Sequence, residues 1–285
     1  MTTSQPPTLT QSTAPLPINP ASDQSSTQPT KILTFQEYLF YQGEPDVVYE
    51  LFRGRLIPMP TPTALHSSIC TFLVYQLQAY IAAQNLDLVA ITVVGVRTET
   101  DSSRIPDVMV CNQSLWQQIQ ARSGAGVLDF QEVPALVIEV TSDNWREDYI
   151  RKRAEYAMID IPEYWIIDPK KQQVWVMSNP AGQHGYGQME FKDEELMRSP
   201  QFPELNLTIN QILAPPIVEE VIKADKIRQA QALTEERQRT EQEYQRAEQE
   251  YQRAEQERQR AEQAEQQLAL LQARLREQGI DIWDT

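Results

Sequence analysis

Apolar residues recur at intervals of three and four from Thr63 to Ala83: Leu65, Ile69, Phe72, Leu73, Leu77, Tyr80 and Ile81. That spacing predicts an amphipathic helix of about five turns. Upstream, Thr34 followed by Glu37 reads as a capping box opening a short helix, Phe35 to Tyr41. Val47 to Phe52 and Arg55 to Met59 read as a hairpin turning at Arg53-Gly54. Leu88 to Val94 and Val96 to Thr98 follow as strands broken at Gly95, and another strand begins near Asp107. A polar helix is expected around Ser114 to Ala121, then a glycine-containing loop at Gly124 to Gly126. Ala135 to Thr141 is an apolar strand carrying Glu139 near its end. Asn144, with Glu147 three residues on, is placed to cap a helix running to Met158. Pro162 to Pro169 is a further strand, and Gln173 to Met177 pairs back with it. A strand near Met189 to Lys192 and a helix near Asn210 complete residues 31–213 as one domain. Without a strict strand–helix repeat, the fold class is α/β with a mixed sheet flanked by helices.

Pro215-Pro216 ends this pattern, and residues 217–279 read as a long helical tail. From Arg239 the sequence repeats almost verbatim every seven residues. Tyr244, Ala247, Tyr251, Ala254 and Ala261 fall on one seam, continued by Leu268 and Leu275. The period fits a coiled coil and self-association, but Arg258, Glu265 and Gln272 also occupy the seam. A single helix held by i,i+4 pairs is an equal alternative in its middle. Residues 1–30 are nearly all Thr, Ser, Pro, Gln and Ala, a composition expected to remain disordered, and 280–285 form a short end. No apolar run approaches the ~20 residues of a membrane span. Two cysteines, Cys70 and Cys111, are too few for a disulfide framework, so a reduced, cytoplasmic protein is expected.

The formal net charge is −15, and residues 31–213 hold 14 basic against 23 acidic side chains. Sequence-independent nucleic-acid binding favours a basic surface, so this acidity argues for a local basic patch or against such a partner. Glu139 lies within Leu-Val-Ile-Glu-Val, where burial requires a counter-charge or cation; otherwise the strand ends there and the acid reaches solvent. Asp107 follows a proline at the head of an apolar run. Asp148, Lys152 and Tyr156 lie four apart, which allows either a surface ion pair or a shared functional face. Arg146, Arg151 and Arg153 add positive charge able to steer a phosphate backbone. Glu50 reads by itself as a solvent-facing strand position, and His66 as a structural histidine. Two acids on neighbouring strands with a lysine behind them suit a divalent-metal site, with Mg²⁺ held by carboxylates.

Tyr49-Glu50-Leu51, Gly54, His66, Gly95-Val96-Arg97, Pro106-Asp107-Val108, Glu139-Val140-Thr141-Ser142, Asp148-x-x-x-Lys152-x-x-x-Tyr156 and Pro162-Glu163-Tyr164-Trp165-x-x-Asp168 occur in this order. As an ordered set they resemble the Uma-two family of restriction-endonuclease-like proteins, within the PD-(D/E)xK nuclease superfamily, over roughly residues 31–213. The resemblance implies a mixed four-to-five-stranded, restriction-endonuclease-like core and Mg²⁺-dependent cleavage of DNA, with Mn²⁺ as a substitute. It also implies Asp107 and Glu139 as metal ligands, Glu50 as a third acid, and Lys152 as the catalytic lysine supported by Asp148. The superfamily lysine lies two residues after the second acid, where this chain has Thr141; the family pattern moves it to the next helix, as Lys152. The competing expectation is a nuclease-like adaptor that binds DNA or protein without cleaving, assembled through the tail.

Overall fold

The computed structural model describes residues 32–278. The expected disordered leader, 1–30, and the 280–285 end lie outside them. In chain order come α1 (Phe35–Leu39), β1 (Tyr49–Phe52), β2 (Arg55–Pro58), α2 (Ala64–Ala83), β3 (Leu88–Ile91) and β4 (Gly95–Glu99). Next are β5 (Ser102–Arg104), β6 (Val108–Asn112), α3 (Gln113–Gln120), β7 (Val127–Leu128) and β8 (Leu136–Val140). A π-helical segment (Glu147–Lys152) runs into α4 (Arg153–Met158), followed by β9 (Glu163–Asp168), β10 (Gln173–Ser178), β11 (Gly187–Lys192), α5 (Ile209–Leu213) and α6 (Val218–Glu277).

The strands form two sheets, where the sequence reading expected one: a five-stranded sheet ordered β2-β1-β5-β4-β7 and a six-stranded sheet ordered β11-β10-β9-β8-β6-β3. The second is mixed, since β8 runs parallel to β9 and antiparallel to β6. Strands β5 and β7 were not expected. Ser102, Ser103 and Arg104 have no apolar alternation, yet all three are buried. The run from Leu88 to Thr98 does not stay in one sheet: β3 joins the six-stranded sheet and β4 the five-stranded one. Val93, between them, takes a left-handed φ of 57°. Gly95 then passes close to its neighbours, where a Cβ would sit 2.7 Å from a Val127 methyl.

Alternation along β8 sends its side chains to two different cores. Leu136, Ile138 and Val140 pack under α2 and α5 with Phe72, Leu73, Leu77, Trp165 and Ile212. Val137 faces the other way, with Met109, Tyr156, Tyr164 and Ile166. Glu139 belongs by parity to this second face, the one covered by the segment from Glu147 to Met158.

The helix starts at Asn144 as expected, but without the expected capping box. The helical segment begins at Trp145, directly after Asn144, and turns π-helical from Glu147. Only the Asn144 backbone carbonyl takes part, accepting from Glu147 N. The π-helical turn accommodates an extra residue per turn at the start of the crossover, a feature that recurs at functional sites. In contrast, Thr34 caps α1 with both capping-box bonds in place.

Helix α6 is one continuous 60-residue helix with no buried residue. Its first turns are not detached, because Val218 and Val221 pack against the main core and Tyr75 Oη donates to Asp225 Oδ2 at 2.9 Å. Tyr244 and Tyr251, on the heptad seam, are 69% and 66% exposed. Among the described residues no helix is long and apolar enough to cross a membrane.

Candidate functional site

The two sheets meet at the link Ile105-Pro106-Asp107. In the antiparallel register of β6 and β8, Val108 stands opposite Ile138. One step further along that register Asp107 stands across from Glu139. Asp107 Oδ2 accepts from Val140 N at 2.7 Å, and Oδ1 lies 2.9 Å from His66 Nε2. Glu50 arrives from the other sheet: Oε1 accepts from Ile105 N at 3.0 Å, and Oε2 from Arg104 at 3.1 Å. It is buried, contrary to the solvent-facing position expected from β1 alone. The cause is tertiary, since the link between the sheets lies over that strand face.

Glu139 is 3% exposed and Lys152 8%. Lys152 Nζ donates to Glu139 Oε2 at 2.8 Å, and Tyr156 Oη donates to Oε1 at 2.7 Å. Asp148 Oδ1 and Glu50 Oε1 lie 3.5 and 3.7 Å from the same ammonium. Asp107, Glu139, Glu50, Asp148 and Lys152 are therefore brought into one neighbourhood, and the Asp148–Lys152–Tyr156 face is buried, not a surface ion-pair row. The arginines expected to steer a phosphate backbone divide. Arg151 is exposed and pairs with Glu147 at 2.6 Å, Arg146 lies over the Trp145 ring, and Arg153 donates to Tyr186 O.

Sequence reasoning missed the layer beneath. Arg104 makes a two-pronged contact with Glu155, at 2.7 and 2.6 Å, besides its bond to Glu50. Thr98 Oγ1 also donates to Glu155. Nothing in Ser-Ser-Arg announced a buried strand, because its burial depends on two acids 54 and 51 residues away. Cys70 was missed as well, although His66-x-x-x-Cys70 at helical spacing was a usable signal.

Charge in this pocket is unbalanced. Among the described residues, Glu50, Glu139, Asp148 and Glu155 pair with two permanent cations, Lys152 and Arg104, and Asp107 pairs with His66. Burial pushes the Glu139 carboxyl well above its ordinary range, and Asp107, Asp148 and Glu50 add to the shift against the opposing pull of Lys152. Burial likewise pushes Asp148 up to about 6. Lys152 loses solvation too, but Glu139, Glu50 and Asp148 more than offset it and hold its pKa above normal. The hydrogen bond to Asp107 raises His66. A largely buried cluster of hard oxygen donors with surplus negative charge is the chemistry that attracts a divalent cation. Among the described residues, the donors that lie close enough together to share one ion are those of His66, Cys70 and Asp107.

The mixed sheets flanked by helices form a nuclease-like fold. The chain belongs to the Uma2 family, whose model, described as "Putative restriction endonuclease", matches residues 35–210. A similar solved structure is a crystal structure from Anabaena variabilis ATCC 29413, described as "a putative nuclease belonging to DUF820". It has a TM-score of 0.51 and 24% identity, and the match covers 64% of this chain and 98% of that one. No curated protein matches.

Proposed function

We propose that the protein is a metal-dependent endonuclease that hydrolyses DNA phosphodiester bonds, as a member of the PD-(D/E)xK superfamily. The observation that carries this reading is the juxtaposition of Asp107 and Glu139 across β6 and β8 with Lys152 Nζ 2.8 Å from Glu139. Asp107, Glu139 and Glu50 would hold Mg²⁺, or Mn²⁺ in its place. When bound, the cation lowers the pKa of water and neutralises charge on the scissile phosphate. Lys152 orients the nucleophile or stabilises the transition state, and Asp148 positions Lys152 from 3.5 Å. Arg146 and Arg151 are available at the surface for backbone phosphates. The site of action is taken to be the cytoplasm, where Cys70 and Cys111, both free thiols, remain reduced. The test is nicking of supercoiled plasmid with Mg²⁺ or Mn²⁺, comparing the parent with Glu139→Gln. Metal-dependent nicking lost in the variant supports the reading; nicking unchanged in Glu139→Gln refutes the assignment of Glu139.

A second reading is a non-cleaving adaptor, favoured by the −15 charge and the 60-residue exposed helix. DNA retention without nicking in the same experiment would select it. Under either reading we propose that α6 self-associates weakly, nucleated where Leu268, Leu271 and Leu275 offer aliphatic surface. Sedimentation across a wide concentration range tests this. A chain that stays monomeric, unaffected by Leu268→Asp with Leu275→Asp, would leave α6 a lone helix.

A further inference from the structure

At the N-terminal end of α2, His66 and Cys70 stand one turn apart on the helix face turned toward Asp107. The ligand atoms of His66, Cys70 and Asp107 all lie within 4.8 Å of one another. His66 Nε2 is 2.9 Å from Asp107 Oδ1, while Oδ2 is engaged by Val140 N. Cys70 is a free, partly buried thiol. Imidazole, thiol and carboxylate together make a donor set unlike the all-oxygen cluster of Glu50, Glu139 and Asp148. Hard cations such as Mg²⁺ gain little from sulfur, whereas Zn²⁺ and Co²⁺ bind Cys, His and carboxylate in tetrahedral sites.

We propose that His66, Cys70 and Asp107 form a second cation site, selective for a thiophilic divalent ion such as Zn²⁺. Around a tetrahedral zinc the ligand atoms sit ~3.5 Å apart, so side-chain rotations of roughly 1 Å close the site. Two ligands come from one rigid helix, and Asp107 is already oriented by its bond to a strand amide. A solvent water would complete the tetrahedron. Binding forms the sulfur–metal bond and releases the thiol proton to solvent, with no change of oxidation state. Asp107 then serves two sites. Zinc held by His66 and Cys70 withholds Asp107 from the hard cation and thereby silences the enzyme. Only this consequence rests on the nuclease reading; the site itself does not.

The experiment titrates Co²⁺ into the full-length, metal-free chain and follows thiolate-to-cobalt charge-transfer absorption. The expected result is a saturable band that equimolar Zn²⁺ abolishes, that is lost in Cys70→Ser, and that is retained in Cys111→Ser. Absence of the band, or its persistence in Cys70→Ser, overturns the site. Should Cys70→Ser fail to fold, alkylation of the parent supplies the second measurement. Zn²⁺ should protect Cys70 from iodoacetamide by at least tenfold in rate, as mapped by peptide mass, and an unprotected Cys70 overturns the site. Zinc added to the Mg²⁺ nicking assay reads the consequence separately. A charge-transfer band in a protein that never nicks DNA supports the site and removes the nuclease reading; nicking without the band does the reverse.

Discussion

Asp148 should destabilise the metal-free protein at neutral pH, by an amount that the structure allows to be worked out. Burial, reinforced by Asp107 and Glu50, lifts its pKa from the ordinary 3.8 to about 6 despite the nearby Lys152. Well below pH 3.8 the side chain is protonated in folded and unfolded chains alike, and it costs nothing. As pH rises toward 6, the unfolded chain releases its proton while the folded chain keeps it, so stability falls. Above about pH 6 the folded protein ionises too, and the deficit stays constant. At about 1.4 kcal/mol per pH unit, the gap between 3.8 and 6 amounts to ~3 kcal/mol. Asp148→Asn removes the titration and leaves the backbone carbonyl that accepts from Tyr164 Oη. The variant should exceed the parent by about 0.6 kcal/mol at pH 4 and by ~3 kcal/mol at pH 8, the latter roughly 6–12 °C in Tm for a domain of this size. The measurement is thermal unfolding in EDTA from pH 4 to 8. Fluorescence of the buried Trp165 and half-buried Trp175 is the right probe, since α6 would dominate circular dichroism. A variant no more stable than the parent at pH 8 would refute the reasoning and make Asp148 a strut that Lys152 needs.

Asp107→Asn should abolish nicking with little change in metal-free stability, because an amide oxygen can still accept from Val140 N; Asp107→Ala should cost about 1–3 kcal/mol by orphaning that amide. Equal melting of the two variants would show that the Val140 bond carries little. Arg104→Met should destabilise by roughly 3–5 kcal/mol in urea unfolding at pH 7, because Glu155 and Glu50 lose their buried counter-charge. Ending the chain at Pro216 should lower Tm by several degrees through loss of Val218, Val221 and the Tyr75–Asp225 bond, whereas ending it at Ala230 should not. Identical melting of these two truncations would mean that the base of α6 adds nothing to the core.

Helix α2 was legible because its burial is one-sided, and a one-sided helix writes its period into the sequence. The first hairpin and the α1 cap were legible because turn and cap chemistry are local. The long tail was also legible, as a helix: its heptads fix secondary structure through neighbours three and four apart, but among the described residues no seam position is buried. The site was legible as a set of residue types. The run around Glu139 left open whether that acid was buried, and Glu50 alone suggested solvent. The docking of the two sheets at Ile105-Pro106-Asp107 decided Glu50, and the segment from Glu147 to Met158 packing over β8 decided Glu139. Strand β5 shows the limit most plainly. Ser102-Ser103-Arg104 has no apolar pattern to read, and its burial follows from Arg104 meeting Glu50 and Glu155, acids far away in sequence. Patterns of period two and 3.6 report which face of an element avoids water. They carry no record of which distant charges will be neutralised together, and that depends on long-range electrostatics realised only in the folded chain.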